Sequence, residues 1–258
     1  LELLRQLKLK IDFKKFVSKQ VWFKSKDGTK VPMFLIHKKK PRRNGKNPTI
    51  LYGYGGFNSS SLPGFRSTVI PFLELGGVYA IPNIRGGGEF GEKWHEAGTK
   101  NKKQNTFNDF IAAAEWLIKN RYTDVKRLAV SGWSNGGLLM GAMITQRPDL
   151  FKAVMAGAPV MDMLRFHKFH GGRHWISDYG NPDDPKDLKY LSRYSPYHNL
   201  RDGEKYPATL VLTAEGDDRV HPMHAYKFTA RFLKANASAS PILLRVESKA
   251  GHGGSASI

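Results

Sequence analysis

Between residues 127 and 144 the chain passes from an apolar, β-branched run into Gly132-Trp133-Ser134-Asn135-Gly136 and out again into a helical pattern. Residues 127–130 read as a strand, and from Leu138 through 140–144 the chain reads as a helix. A strand that becomes a helix within a few residues, through two glycines, leaves few folds open. It asks for a serine in a strained turn with its hydroxyl exposed, between glycines that carry no side chain to collide across so tight a corner. The pattern G-x-S-x-G alone is weak in a chain with 26 Gly, so the flanking strand and helix carry the assignment. At that helix N-terminus the Asn135 amide would face the oxyanion of a tetrahedral intermediate.

The rest of the chain repeats the alternation. Residues 21–23 and 31–37 read as two strands around Asp27-Gly28, a hairpin dipeptide, and residues 38–47 read as a basic loop. Residues 49–52, 78–84, 153–155, 209–213 and 242–246 are further strands. Phe107, Phe110, Ile111, Ala114, Leu117 and Ile118 share one helical face, and residues 225–233 also look helical. Strands alternating with helices predict an α/β domain, a mostly parallel sheet with helices on both faces. Residues 1–20 read as a basic lead-in and 21–258 as the domain.

Charge and cysteine narrow the classes. The net charge is +19, and residues 1–47 hold 15 Lys/Arg against 3 Asp/Glu. These basic residues alternate with strand formers and accompany no nucleic-acid motif, so a solvated edge or a domain-facing surface is expected rather than a nucleic-acid site. There is no Cys, which excludes thiol chemistry and fits a reducing, cytoplasmic setting. No apolar run reaches the roughly 18 residues of a membrane span, and no secretory signal pattern opens the chain. The first residue is Leu rather than Met, and a piece of a longer protein is expected.

A serine nucleophile on such a sheet needs an acid and then a histidine, each on a loop after a later strand. Glu215, Asp217 and Asp218 follow the strand 209–213, and Gly251-His252-Gly253-Gly254 follows the strand 242–246. A histidine between glycines is free to reach inward, and a free imidazole titrates near about 6.5, suited to proton transfer. Ser134 is thus the candidate nucleophile and His252 the general base. Spacing alone does not separate Asp217 from Asp218 as the acid.

Taken with Tyr52-Gly53-Tyr54-Gly55-Gly56-Phe57, Asn83-Ile84-Arg85-Gly86-Gly87-Gly88-Glu89, Asp178-Tyr179-Gly180 and Asp217-Asp218-Arg219-Val220, the chain resembles the catalytic domain of the prolyl oligopeptidase family, an α/β-hydrolase fold. The resemblance runs from about Val21 to Gly254. It implies Asp217 as the acid and Tyr54 as an oxyanion donor beside Asn135. It also implies a proline pocket of Trp175, Tyr179, Phe57, Val160 and Val220, with Arg219 donating to a substrate carbonyl. The implied activity is serine endopeptidase cleavage of short peptides after proline, with no cofactor. Trp133 departs from the glycine common there. The family's β-propeller and last helix are missing from the 258 residues, so an open mouth, an uncovered sheet face and self-association are expected.

Two other signals point elsewhere. His167, His170 and His174 have ligand-like spacing, but Gly171-Gly172 breaks any helix that would set it, and no metal is expected. Gly86-Gly87-Gly88 lacks the Lys-Ser/Thr of a phosphate loop. The competing readings are an acylaminoacyl peptidase or carboxylesterase on the same fold, and a catalytically idle basic fragment.

Overall fold

The computed structural model of the chain describes residues 11–253. Residues 1–10 of the lead-in and Gly254 of the histidine loop lie outside them. Eight strands form one sheet: β1 (Phe16–Lys24), β2 (Lys30–Lys38), β3 (Thr49–Tyr52), β4 (Val78–Pro82), β5 (Leu128–Trp133), β6 (Ala153–Gly157), β7 (Ala208–Ala214) and β8 (Ile242–Glu247). Their spatial order is β1-β2-β4-β3-β5-β6-β7-β8. The β1–β2 and β2–β4 pairs are antiparallel, and every later pair is parallel. The helices are α1 (Ile70–Glu74), α2 (Glu92–Glu96), α3 (Lys103–Lys119), α4 (Asn135–Gln146), α5 (Ile176–Tyr179), α6 (Pro185–Tyr194) and α7 (Met223–Ala235).

The hairpin is where Asp27-Gly28 placed it. Gly28 turns the chain at φ +85°, and the Ser25 amide donates to the Thr29 carbonyl at 2.8 Å. β1 begins at Phe16 rather than Val21, because Phe16 already pairs with Lys38. β5 runs on to Trp133, through the first glycine of the serine motif, because its ladder with β6 continues to the Trp133–Gly157 pair. The glycines had marked that stretch as turn, and the neighbouring strand extends it.

Alternation along the strands sorts the two faces. Leu35, Leu51, Ala80, Val130, Val154 and Val211 bury themselves against Phe107, Phe110, Ala114 and Leu117 of α3, against α4, and against Phe228 and Phe232 of α7. Ile111 and Ile118, expected on the same α3 face, pack only at its margin. On the other face Tyr79 and Ile81 form a smaller cluster with Leu73 of α1. That face is covered at its β2–β4 end. Farther along, Tyr52, Ser131, Met155, Leu210 and Leu243 make one in-register row across five strands and line an apolar groove of about 590 Å³. Helices therefore lie on both faces, but unequally, and Leu243 in β8 is 56% exposed.

Candidate active site

Ser134 joins β5 to α4 with φ 59° and ψ −117°, a conformation rarely adopted by a residue with a side chain. The glycines around it are required by close approach. A Cβ on Gly132 would stand 2.3 Å from the Gly136 carbonyl oxygen, and one on Gly136 would stand 2.5 Å from the Gly53 carbonyl oxygen. The Ser134 amide donates to the Gly157 carbonyl at 2.8 Å, which fixes the turn to the end of β6. The Asn135 amide lies in the first turn of α4, where amides have no intrahelical acceptor.

Asp217 follows β7, and His252 follows β8. The His252 Nδ1 lies 3.0 and 2.9 Å from the two Asp217 carboxylate oxygens. The amides of Arg219 and Val220 also donate to Asp217 Oδ1, at 3.0 and 2.9 Å. Burial works against the Asp217 charge, but the His252 hydrogen bond and these amides outweigh it and hold the carboxyl below its usual range. The carboxylate that meets His252 is thus Asp217. Asp218 lines the cavity instead. Among the described residues no hydrogen bond joins the Ser134 hydroxyl to His252, although both line one cavity of about 550 Å³. Contacts of this kind often tighten only when substrate is bound.

The same cavity is lined by Tyr54, Phe57, Val160, Trp175, Tyr179 and Arg219. Tyr179 stands edge-on to Phe57 and to Trp175, with ring centroids 5.4 and 6.4 Å apart. Val220 does not reach the cavity; it is buried behind it and serves through its amide on Asp217. Burial, and then the nearby Asp178 charge, push the Tyr54 hydroxyl up to about 12, so it stays a protonated donor at neutral pH.

Several groups beneath this surface had no role from sequence. The Asn135 side chain donates to the Tyr54 carbonyl at 2.6 Å and accepts from the Tyr179 hydroxyl at 2.9 Å, tying oxyanion loop to pocket. Asp178 Oδ2 accepts from the Phe57 amide at 2.9 Å and lies 2.9 Å from His95 Nε2. Lys103, fully buried, donates to the Gly55 carbonyl at 2.8 Å and lies 3.6 Å from Asp178 Oδ1. Asp178 stood in a quoted motif, the one available signal, and Lys103 carried none. The three spaced histidines diverge: His167 pairs with Asp183, His170 meets the Asp217 carbonyl, and His174 faces the cavity.

Residues 63–257 match the sequence profile of the prolyl oligopeptidase family. The chain belongs to the prolyl oligopeptidase family. It is 52% identical to a prolyl endopeptidase of Elizabethkingia miricola over 253 residues, which is 98% of this chain and 36% of that protein. A solved structure from a study of two prolyl endopeptidases superposes with TM-score 0.94 at 52% identity, over 96% of this chain and 36% of that one. A post-proline cleaving enzyme from Rickettsia typhi superposes with TM-score 0.92 at 38% identity, over 98% and 36%. The chain thus spans about a third of the length of the relatives it matches. Within the family, the Ser134, Asp217 and His252 arrangement falls on the portion that the relatives share with it.

Proposed function

We propose that the chain carries the catalytic part of a serine endopeptidase that hydrolyses short peptides on the carboxyl side of proline. The observation that carries this reading is the Asp217–His252 pair opening into one cavity with Ser134 and the Trp175–Tyr179 walls. Ser134 attacks the carbonyl carbon and gives its proton to His252 Nε2, while Asp217 holds Nδ1 and steadies the imidazolium. The Asn135 amide and the Tyr54 hydroxyl take the oxyanion. His252 returns its proton to the leaving amine. Water, deprotonated by the same imidazole, then releases the acyl group from Ser134.

A flat indole beside Phe57, Val160 and Tyr179 in one cavity suits a pyrrolidine ring, and Arg219 in the same lining suits a substrate carbonyl. The aromatic slot favours this reading over an acylaminoacyl peptidase or esterase, and the formed acid–base pair favours it over an idle fragment. We place the activity in the cytoplasm on the cysteine-free composition.

The test compares otherwise identical short amides ending in Pro and in Ala, on wild type and on Trp175→Ala. The expected result is preference for proline, and a KM for the proline substrate that rises about 5- to 30-fold in the variant, an aromatic contact of about 1–2 kcal/mol. Equal losses on both substrates would show that Trp175 supports the fold and does not read the ring.

A further inference from the structure

Trp133 is the motif residue left without a task by this chemistry. It is the last residue of β5, beside the nucleophile, and its ring lies against the bare backbone of Gly157 at the end of β6. A Cβ on Gly157 would stand 2.0 Å from Trp133 Cε3. That packing fixes the plane of the indole, and Nε1–H donates to the main-chain carbonyl of His252 at 2.8 Å.

Asp217 holds the His252 ring at Nδ1, which sets the rotation of the imidazole but not the position of the backbone that carries it. The loop from β8 is tied earlier, by the Glu215 amide to the Glu247 carbonyl at 3.0 Å and the Gly216 amide to the Ala250 carbonyl at 3.2 Å. Among the described residues, the hydrogen bond from Trp133 is the one made by the main chain of His252 itself.

We infer that Trp133 is a positioning residue for the general base. It ties the His252 backbone to the same rigid strand end that presents Ser134, so nucleophile and base share one frame. The inference rests on the acyl-transfer reading of Ser134 and His252. Its chemistry is general: a base displaced by about an ångström from its working distance loses one to two orders of magnitude in rate, whereas ground-state binding in the aromatic slot does not pass through the indole N–H.

Because Trp133 also lines the cavity, the test must remove the N–H and keep the ring. Replacing Trp133 by β-(3-benzothienyl)alanine puts sulfur in place of N–H at nearly the same size; Trp133→Phe is the companion variant. In both, kcat on the proline substrate is expected to fall roughly tenfold or more, and in the benzothienyl protein, which keeps the ring, KM and the thermal midpoint stay at their wild-type values. Wild-type kcat in the benzothienyl protein overturns the inference and leaves the peptidase reading standing. Should Trp133→Phe fail to fold, the benzothienyl protein decides alone. A wild-type chain without turnover defeats the peptidase reading instead. The tether is then judged by hydrogen exchange of the Trp133 indole proton, where protection upholds it and exchange at the rate of an open indole overturns it.

Discussion

At the scale of single residues the site works by division of labour within a few side chains. Asn135 shows it most clearly: its amide lies in the first turn of α4, while its side chain joins the Tyr54 carbonyl to the Tyr179 hydroxyl. One residue therefore links the loop that carries Tyr54 to the pocket wall. We propose that Tyr54 contributes its hydroxyl as the second donor; burial, and then the Asp178 charge, raise that hydroxyl to about 12. Tyr54→Phe removes that donor and leaves the ring in place. The expected loss is about 10²–10³ in kcat with little change in KM, the pattern of an interaction made in the transition state. Steady-state kinetics check it, and an unchanged kcat would mean that the Asn135 amide holds the oxyanion unaided. The serine turn itself pointed to the Asn135 amide, whereas Tyr54 was reached only with the help of the family resemblance. The Asn135 bridge was not legible at all, since nothing in a linear motif says where a side chain ends.

At the scale of elements, α2, the start of α3 and the end of α5 meet beneath the loop that carries Tyr54 to Phe57. Asp178 stands at the junction, with Lys103 on one side and His95 on the other. His95 also reaches Glu92 at 2.9 Å. Burial opposes a charged His95, but the hydrogen bonds to Asp178 and Glu92 prevail and raise it above an ordinary histidine. A raised folded-state value stabilises the fold fully below the unfolded value near about 6.5, and the gain disappears as pH rises through the folded value. His95→Gln should therefore lower the melting temperature most near pH 6, by roughly 2–4 °C for each kcal/mol lost in a chain this size, and hardly at all near pH 9. Melting curves across that range check it, and a gap that widens with pH contradicts the junction. The strands were legible where apolar alternation was strong, as in β2 and β7. The start of β1 at Phe16 was hidden because Lys14, Lys15 and Lys19 look like a solvated lead-in, and only pairing with β2 makes residues 16–20 a strand. The Lys103–Asp178 contact spans 75 positions and left no local pattern to read.

At the scale of the whole molecule, three loops from separate parts of the chain converge at one end of a parallel sheet. Ser134 leaves β5, Asp217 follows β7 and His252 follows β8, so the register of the sheet itself brings the three residues to one end. The row from Tyr52 to Leu243 remains an open apolar groove on one face of the sheet, and the larger core, which also takes in residues of α5 and α6, lies on the other face with α3, α4 and α7. The order of the triad along the chain was legible because it follows the order of the strands. Spacing left Asp217 and Asp218 open and the resemblance pointed to Asp217, on which the amides at 219 and 220 close. We propose that these 258 residues assemble a reactive serine nucleophile at Ser134. The most direct measurement is covalent labelling by a fluorophosphonate, with the adduct located by mass spectrometry, on wild type, Ser134→Ala and His252→Ala. One adduct per chain on Ser134 is expected, absent in Ser134→Ala and slowed by about three orders of magnitude or more in His252→Ala, since the two residues act as a unit. A wild-type chain that takes no label, or a His252→Ala chain labelled at the wild-type rate, would contradict it.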